Sequence, residues 1–94
     1  MATLTDAEIE DRLAGVSKWR VADDHAIVRE LKFADFAAAV AFVKDVAQLA
    51  EEANHHPDIL IHGWNKVRLT LSTHSQGGLT DADFSLARGI EGLL

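Results

Sequence analysis

From Asp35 to Ala53 the chain runs without a glycine or a proline and is rich in alanine, the strongest helix former. The run predicts a helix of about 19 residues, ~28 Å long. In a chain of 94 residues an element of that length needs a broad partner surface. Phe36, Val40, Val43 and Ala47 form one apolar stripe at helical spacing, and Phe42, Val46 and Leu49 form a second beside it. With Ala37, Ala38 and Ala41 they make more apolar surface than a helix lying on one sheet needs to bury. The surplus fits either a wide core-facing arc or a contact with another subunit. A homodimer or homotetramer through helix 35–53 is therefore expected.

Around this helix the sequence alternates between turn signals and short extended runs. Thr5 can cap a first helix, with Glu8 at the reciprocal position and Leu4 placed to staple onto Ile9, and Gly15 ends it. Trp19 to Val21 and Ile27 to Phe33 are expected strands, joined by the turn cluster Ala22-Asp23-Asp24-His25. After the long helix gives out at Asn54, Ile59 to Ile61 forms a short strand. Gly63-Trp64-Asn65 turns the chain. Lys66 to Thr73 then alternates, with Val67, Leu69 and Leu71 inward and Lys66, Arg68, Thr70 and Ser72 outward. Thr80 caps a last helix, with Asp83 three residues on and Leu79 placed to staple Phe84. The expected order is α-β-β-α-β-β-α: an α+β fold, a four-stranded, mostly antiparallel sheet with three helices packed on one face, and a single domain over 1–94.

Composition excludes several classes of function. There is no cysteine, hence no disulfide framework, thiol nucleophile or Cys-ligated metal site. Nine Lys and Arg against 15 Asp and Glu give a net charge of −6, which argues against a nucleic-acid partner. No apolar run has the ~18 residues of a membrane span, and the acidic, amphipathic N-terminus lacks the pattern of a signal peptide. A cytoplasmic protein is expected. At 48% apolar content the chain suits a globular domain, though one this small benefits from oligomerisation. The unusual component is histidine: three of the five lie between Glu51 and His62.

Glu51 precedes His55-His56-Pro57. Pro57 pushes His56 into an extended conformation, and adjacent extended residues point to opposite sides. His55 and His56 thus do not readily aim at one metal ion, but they can flank two sides of a flat ligand. Glu51 lies one helical turn before His55, within reach of its imidazole. His74 ends the best strand, before Ser75-Gln76-Gly77-Gly78, where a rigid scaffold meets a loop that permits close approach. Asp83 is a capping residue that can also orient a neighbouring histidine. His25 and His62 have no patterned partner, and Trp19 and Trp64 are expected in or at the edge of the core. A metal site from Glu51, His55, His74 and Asp83 is conceivable, but nothing in the spacing selects it. A metal-free acid–base enzyme needs no further parts.

The succession Glu51, His55-His56-Pro57, Trp64, His74 and Asp83, at these intervals, resembles the signature of the pterin-4a-carbinolamine dehydratases. The string Trp64-Asn65-Lys66-Val67-Arg68-Leu69-Thr70-Leu71-Ser72-Thr73-His74 is similar to that family's most recognisable stretch, as is Gly78-Leu79-Thr80 leading to Asp83. Trp19 and Phe33, Asp35 and Phe36 also fall at matching places. Trp64 stands where many relatives carry Tyr, and Asn54 where some carry Asp. The resemblance implies a four-stranded antiparallel sheet with three helices on one face. It also implies dehydration of 4a-hydroxytetrahydropterin to quinonoid dihydropterin, a recycling step after aromatic amino-acid hydroxylases. By position, His55, His56 and His74 would be the catalytic histidines, supported by Glu51 and Asp83. Pro57, Thr73, Ser75 and Gln76 would lie along the pterin. No cofactor and no metal are implied. Relatives of the same fold also serve as a dimerisation cofactor for a transcription factor and as an assembly factor for a carbon-fixing enzyme. Those often lose motif histidines, and this chain has all three.

Overall fold

The alternation along Lys66–Leu71 decides the layering. Val67, Leu69 and Leu71 are fully buried while Lys66 and Arg68 are exposed, so this strand turns one face to a core and the other to water. The structure is a computed structural model describing residues 3–22 and 25–94. Among these the order is α1 (Asp6–Leu13), β1 (Arg20–Ala22), β2 (Ala26–Lys32), α2 (Phe36–Ala53), β3 (Asp58–His62), β4 (Lys66–Leu71), a 3₁₀ turn (His74–Gln76) and α3 (Asp81–Glu91). The sheet order is β1-β2-β4-β3, and every neighbouring pair is antiparallel. The expected α+β order is the observed one. The expected turn at Asp23-Asp24 lies outside the described residues. None of the described helices is long and apolar enough to cross a membrane.

Register places Ile27, Arg29 and Leu31 of β2 and Ile59 and Ile61 of β3 beside the buried row of β4. The helices cover that face. Phe84, Leu86, Ala87 and Ile90 of α3 and Ala39, Phe42 and Val46 of α2 are buried against it. Burying each large side chain contributes about 1.5–3 kcal/mol relative to exposure. Arg29 holds α3 to the sheet through Glu91 at 3.1 Å. Both expected capping boxes form, Thr5 with Glu8 and Thr80 with Asp83. The two helix starts are also tied together. The Leu4 N–H donates to the Leu79 carbonyl at 2.8 Å, and Arg12 pairs with Asp81 at 2.5 Å.

Two features were not contained in the sequence pattern. First, on α2 the stripe that faces inward is the second: Phe42 and Val46 are buried and Leu49 half-buried, whereas Phe36 is 55% and Val40 42% exposed. Phe33, just before the helix, stacks on Phe42 with ring centroids 5.0 Å apart. A methyl group at Gly89 of α3 would come within 3.5 Å of Leu49 Cδ1. These neighbours choose the inward stripe, and periodicity within α2 does not contain them. Second, Trp64 is 62% exposed rather than at the core edge. Gly63 and Trp64 both take left-handed backbone angles, φ 53° and 59°. The next residue, Asn65, is the one turned inward, its side-chain amide donating to the Phe33 carbonyl at 3.0 Å. Trp19, by contrast, is buried as expected.

Candidate active site

Antiparallel pairing puts Asp58, the first residue of β3, opposite Thr70 near the end of β4, and Ile27 near the start of β2 opposite Leu71. The segments before β3, after β4 and before β2 therefore meet at one end of the sheet. That end collects His55 and His56, His74, and His25; His62, opposite Lys66, is at the other end.

Asn54 closes α2 in the left-handed conformation, φ 50° and ψ 43°, and the His55 N–H returns to the Ala50 carbonyl at 3.1 Å. Asparagine tolerates this conformation at a helix end. The reversal swings His55 toward α3, where its Nε2 lies 2.5 Å from Oδ1 of Asp83. The Asp83 side chain is wholly buried, and His55 keeps 15% of its side-chain surface. Oδ2 of Asp83 accepts from the Thr73 hydroxyl at 2.9 Å and from the Thr80 N–H at 3.0 Å. The Thr73 and Thr80 hydroxyls are 2.8 Å apart. Since Thr73 has one proton and gives it to Asp83, Thr80 donates to Thr73. A carboxylate only accepts, so the Asp83 partner atom on His55 carries a proton and Nδ1 is left for other contacts.

Glu51 behaves differently from its sequence expectation. It hydrogen-bonds to Nε2 of His56, not to His55. The helix stops before His55 can complete a further turn, and His56, extended before Pro57, points back to the last turn of α2. This pair is exposed. Pro57 is half-buried. His74 begins the 3₁₀ turn instead of ending the strand, which stops at Leu71. Reciprocal hydrogen bonds between Thr73 and Gly78, at 3.0 and 3.4 Å, close the base of this loop. Ser75 and Gln76 stand exposed on it. His74 Nε2 lies 3.4 Å from the Ser72 hydroxyl. Thr73, expected along a ligand, spends its hydroxyl on Asp83.

Two hollows flank these groups. One of about 510 Å³ lies between α2 and α3, where Leu49, Ala53, Ala82 and Leu86 surround His55. The other, of about 340 Å³, is on the open side of the sheet and is lined by Asp58, Thr70, Ser72, His74 and Gly78, with His25 at its edge. His55 and His74 thus border different hollows at the same end of the sheet. His25 and Asp58 carried no sequence motif; only the strand register, extended past the strand ends, would have found them. Among the described residues no three His, Asp or Glu side chains converge as metal ligands do.

The model of the family described as pterin 4 alpha carbinolamine dehydratase matches residues 2–93. The chain belongs to that family. A relative from Acidobacterium capsulatum, provisionally named a pterin-4-alpha-carbinolamine dehydratase, is 52% identical over the full length of both chains. One from Chloroflexus aggregans with the same provisional name is 50% identical, covering 100% of this chain and 99% of the relative. Among solved structures, a transcriptional coactivator/pterin dehydratase from Brucella melitensis superposes with a TM-score of 0.91 at 36% identity, covering 97% of each chain. A pterin dehydratase-like protein described as a RuBisCO assembly factor in the alpha-carboxysome superposes with a TM-score of 0.67 at 26% identity, covering 81% of this chain and 88% of that one. Membership of the pterin 4 alpha carbinolamine dehydratase family supports a dehydratase enzyme.

Proposed function

We propose that this protein is a hydro-lyase that converts 4a-hydroxytetrahydropterin to quinonoid dihydropterin and water by histidine acid–base catalysis. The observation that supports the reading is His55 held by the buried carboxylate of Asp83 at the same end of the sheet as His74. Hydroxide is a poor leaving group. The C4a hydroxyl takes a proton from one imidazolium as the C4a–O bond breaks, and the N5 lone pair forms the C4a=N5 bond. The other imidazole removes the ring N–H proton, so water and the neutral quinonoid product leave. His55 and His74 form the acid–base pair, each contributing roughly 10²–10⁴ in rate. His55 works through Nδ1, because Asp83 engages Nε2. His56, held by Glu51, positions substrate, and Pro57, Ser75 and Gln76 border it. Stopped-flow dehydration of synthetic carbinolamine tests this: acceleration over the uncatalysed rate supports it, and a rate equal to buffer overturns it.

A second reading, an interaction or assembly module, is favoured by the exposed Phe36 and Val40 on α2 and by the solved relatives described as a coactivator and an assembly factor. The three histidines favour the enzyme. A hydroxylase gene beside this one would support pterin recycling; a carbon-fixation operon would support assembly.

A further inference from the structure

Asp58 stands in the open-face hollow with His74, yet neither the acid–base pair nor the Asp83 network uses it. Its carboxylate forms no ion pair among the described residues. β3 and β4 carry it beside Thr70, so a carboxylate and the hydroxyls of Thr70 and Ser72 share one wall, with His25 beyond. The hollow's volume, about 340 Å³, is at the small end of the ~300–1,000 Å³ typical of ligand sites.

That donor and acceptor pattern has a complement. The 2-aminopyrimidin-4-one edge of a reduced pterin presents two parallel donors, the 2-amino group and N3–H, followed by the acceptor O4. A carboxylate takes two parallel N–H donors at once, as it does from guanidinium, and a hydroxyl can donate to O4. We propose that Asp58 anchors the pyrimidine edge of the substrate, with Thr70 and Ser72 donating to O4. This places the reacting C4a side of the ring toward His74 and the sheet end, and it makes Asp58 a residue that selects 2-amino heterocycles. The assignment rests on the pterin reading above and extends it to recognition.

Binding measured by fluorescence titration separates the two claims. The probes are 7,8-dihydropterin and 7,8-dihydrolumazine, in which a 2-oxo group replaces the 2-amino donor. Wild-type protein is expected to prefer dihydropterin, and Asp58→Ala to lose roughly 10- to 100-fold in affinity for it, the scale of hydrogen bonds to a charged group. The variant is then expected to bind both probes alike. Asp58→Asn, which keeps the shape but offers one acceptor and one donor, should also lose affinity for dihydropterin and turn the preference toward dihydrolumazine, whose N3–H and 2-oxo group match that pair, and Asp58→Glu should recover part of the loss. In the dehydration assay KM should rise far more than kcat falls. If wild type binds dihydropterin and dehydrates the carbinolamine while Asp58→Ala and Asp58→Asn keep full affinity and preference, the anchor is refuted and the function stands. If wild type neither binds dihydropterin nor dehydrates the carbinolamine, both fall.

Discussion

At the scale of single residues, Asp83 joins stability to chemistry. It caps α3, accepts from Thr73 and Thr80, and holds one tautomer of His55. Asp83→Ala leaves buried donors without an acceptor and is expected to cost about 1–3 kcal/mol in a urea melt. Asp83→Asn should fold more nearly as wild type but lose kcat, since an amide turned to accept from His55 Nε2 directs its NH₂ at the donors on the other side. Unchanged kcat in a folded Asp83→Asn variant would remove Asp83 from the orienting role. Only half of this was legible in the sequence. The capping pattern announces Asp83 and Thr80 as helix-start residues, and that local signal is the same whether or not a histidine arrives from 28 positions away. Glu51 shows the converse. Helical spacing pointed it at His55, and the left-handed Asn54 delivered His56 instead.

At the scale of elements, α2 and the open sheet face carry the testable claims. The element types and order were readable because caps, turns and alternation are local. The inward stripe of α2 was not, because Phe33 and Gly89 choose it from outside the helix. The outward stripe is then Phe36 and Val40. If it is the contact between copies, Phe36→Asp should reduce an oligomer to a 10.2 kDa monomer in light scattering at micromolar concentration. An oligomer unaffected by that change would move the interface elsewhere. On the sheet, Glu30 bridges Arg20 of β1 and Arg68 of β4 at 2.8 and 3.1 Å. Arg20, then Arg68, hold its carboxyl below the usual carboxylate range. A lowered folded pKa means the stabilisation is complete above the ordinary carboxylate range and disappears as pH falls through the lowered value. Melting of Glu30→Gln should therefore lie below wild type at neutral pH and converge with it in acid. Exposure and salt screening keep the difference small.

At the scale of the whole molecule, antiparallel order brings four of the five histidines to one end of the sheet from three separate stretches of the chain. His55 and His56 diverge there, toward Asp83 and Glu51 respectively. That divergence suits a flat organic ligand better than a metal ion, so exhaustive chelation should leave activity and Tm unchanged. Stoichiometric zinc whose removal abolishes activity would contradict this. In the proposed mechanism His55 and His74 act as acid and base across one pterin ring. The decisive measurement is stopped-flow dehydration of synthetic carbinolamine with wild type, His55→Ala, His74→Ala and the double variant, each checked for an intact fold. Each single change is expected to lower kcat by roughly 10- to 10³-fold, and the double variant to fall near the uncatalysed rate. Full turnover in both single variants would contradict the mechanism.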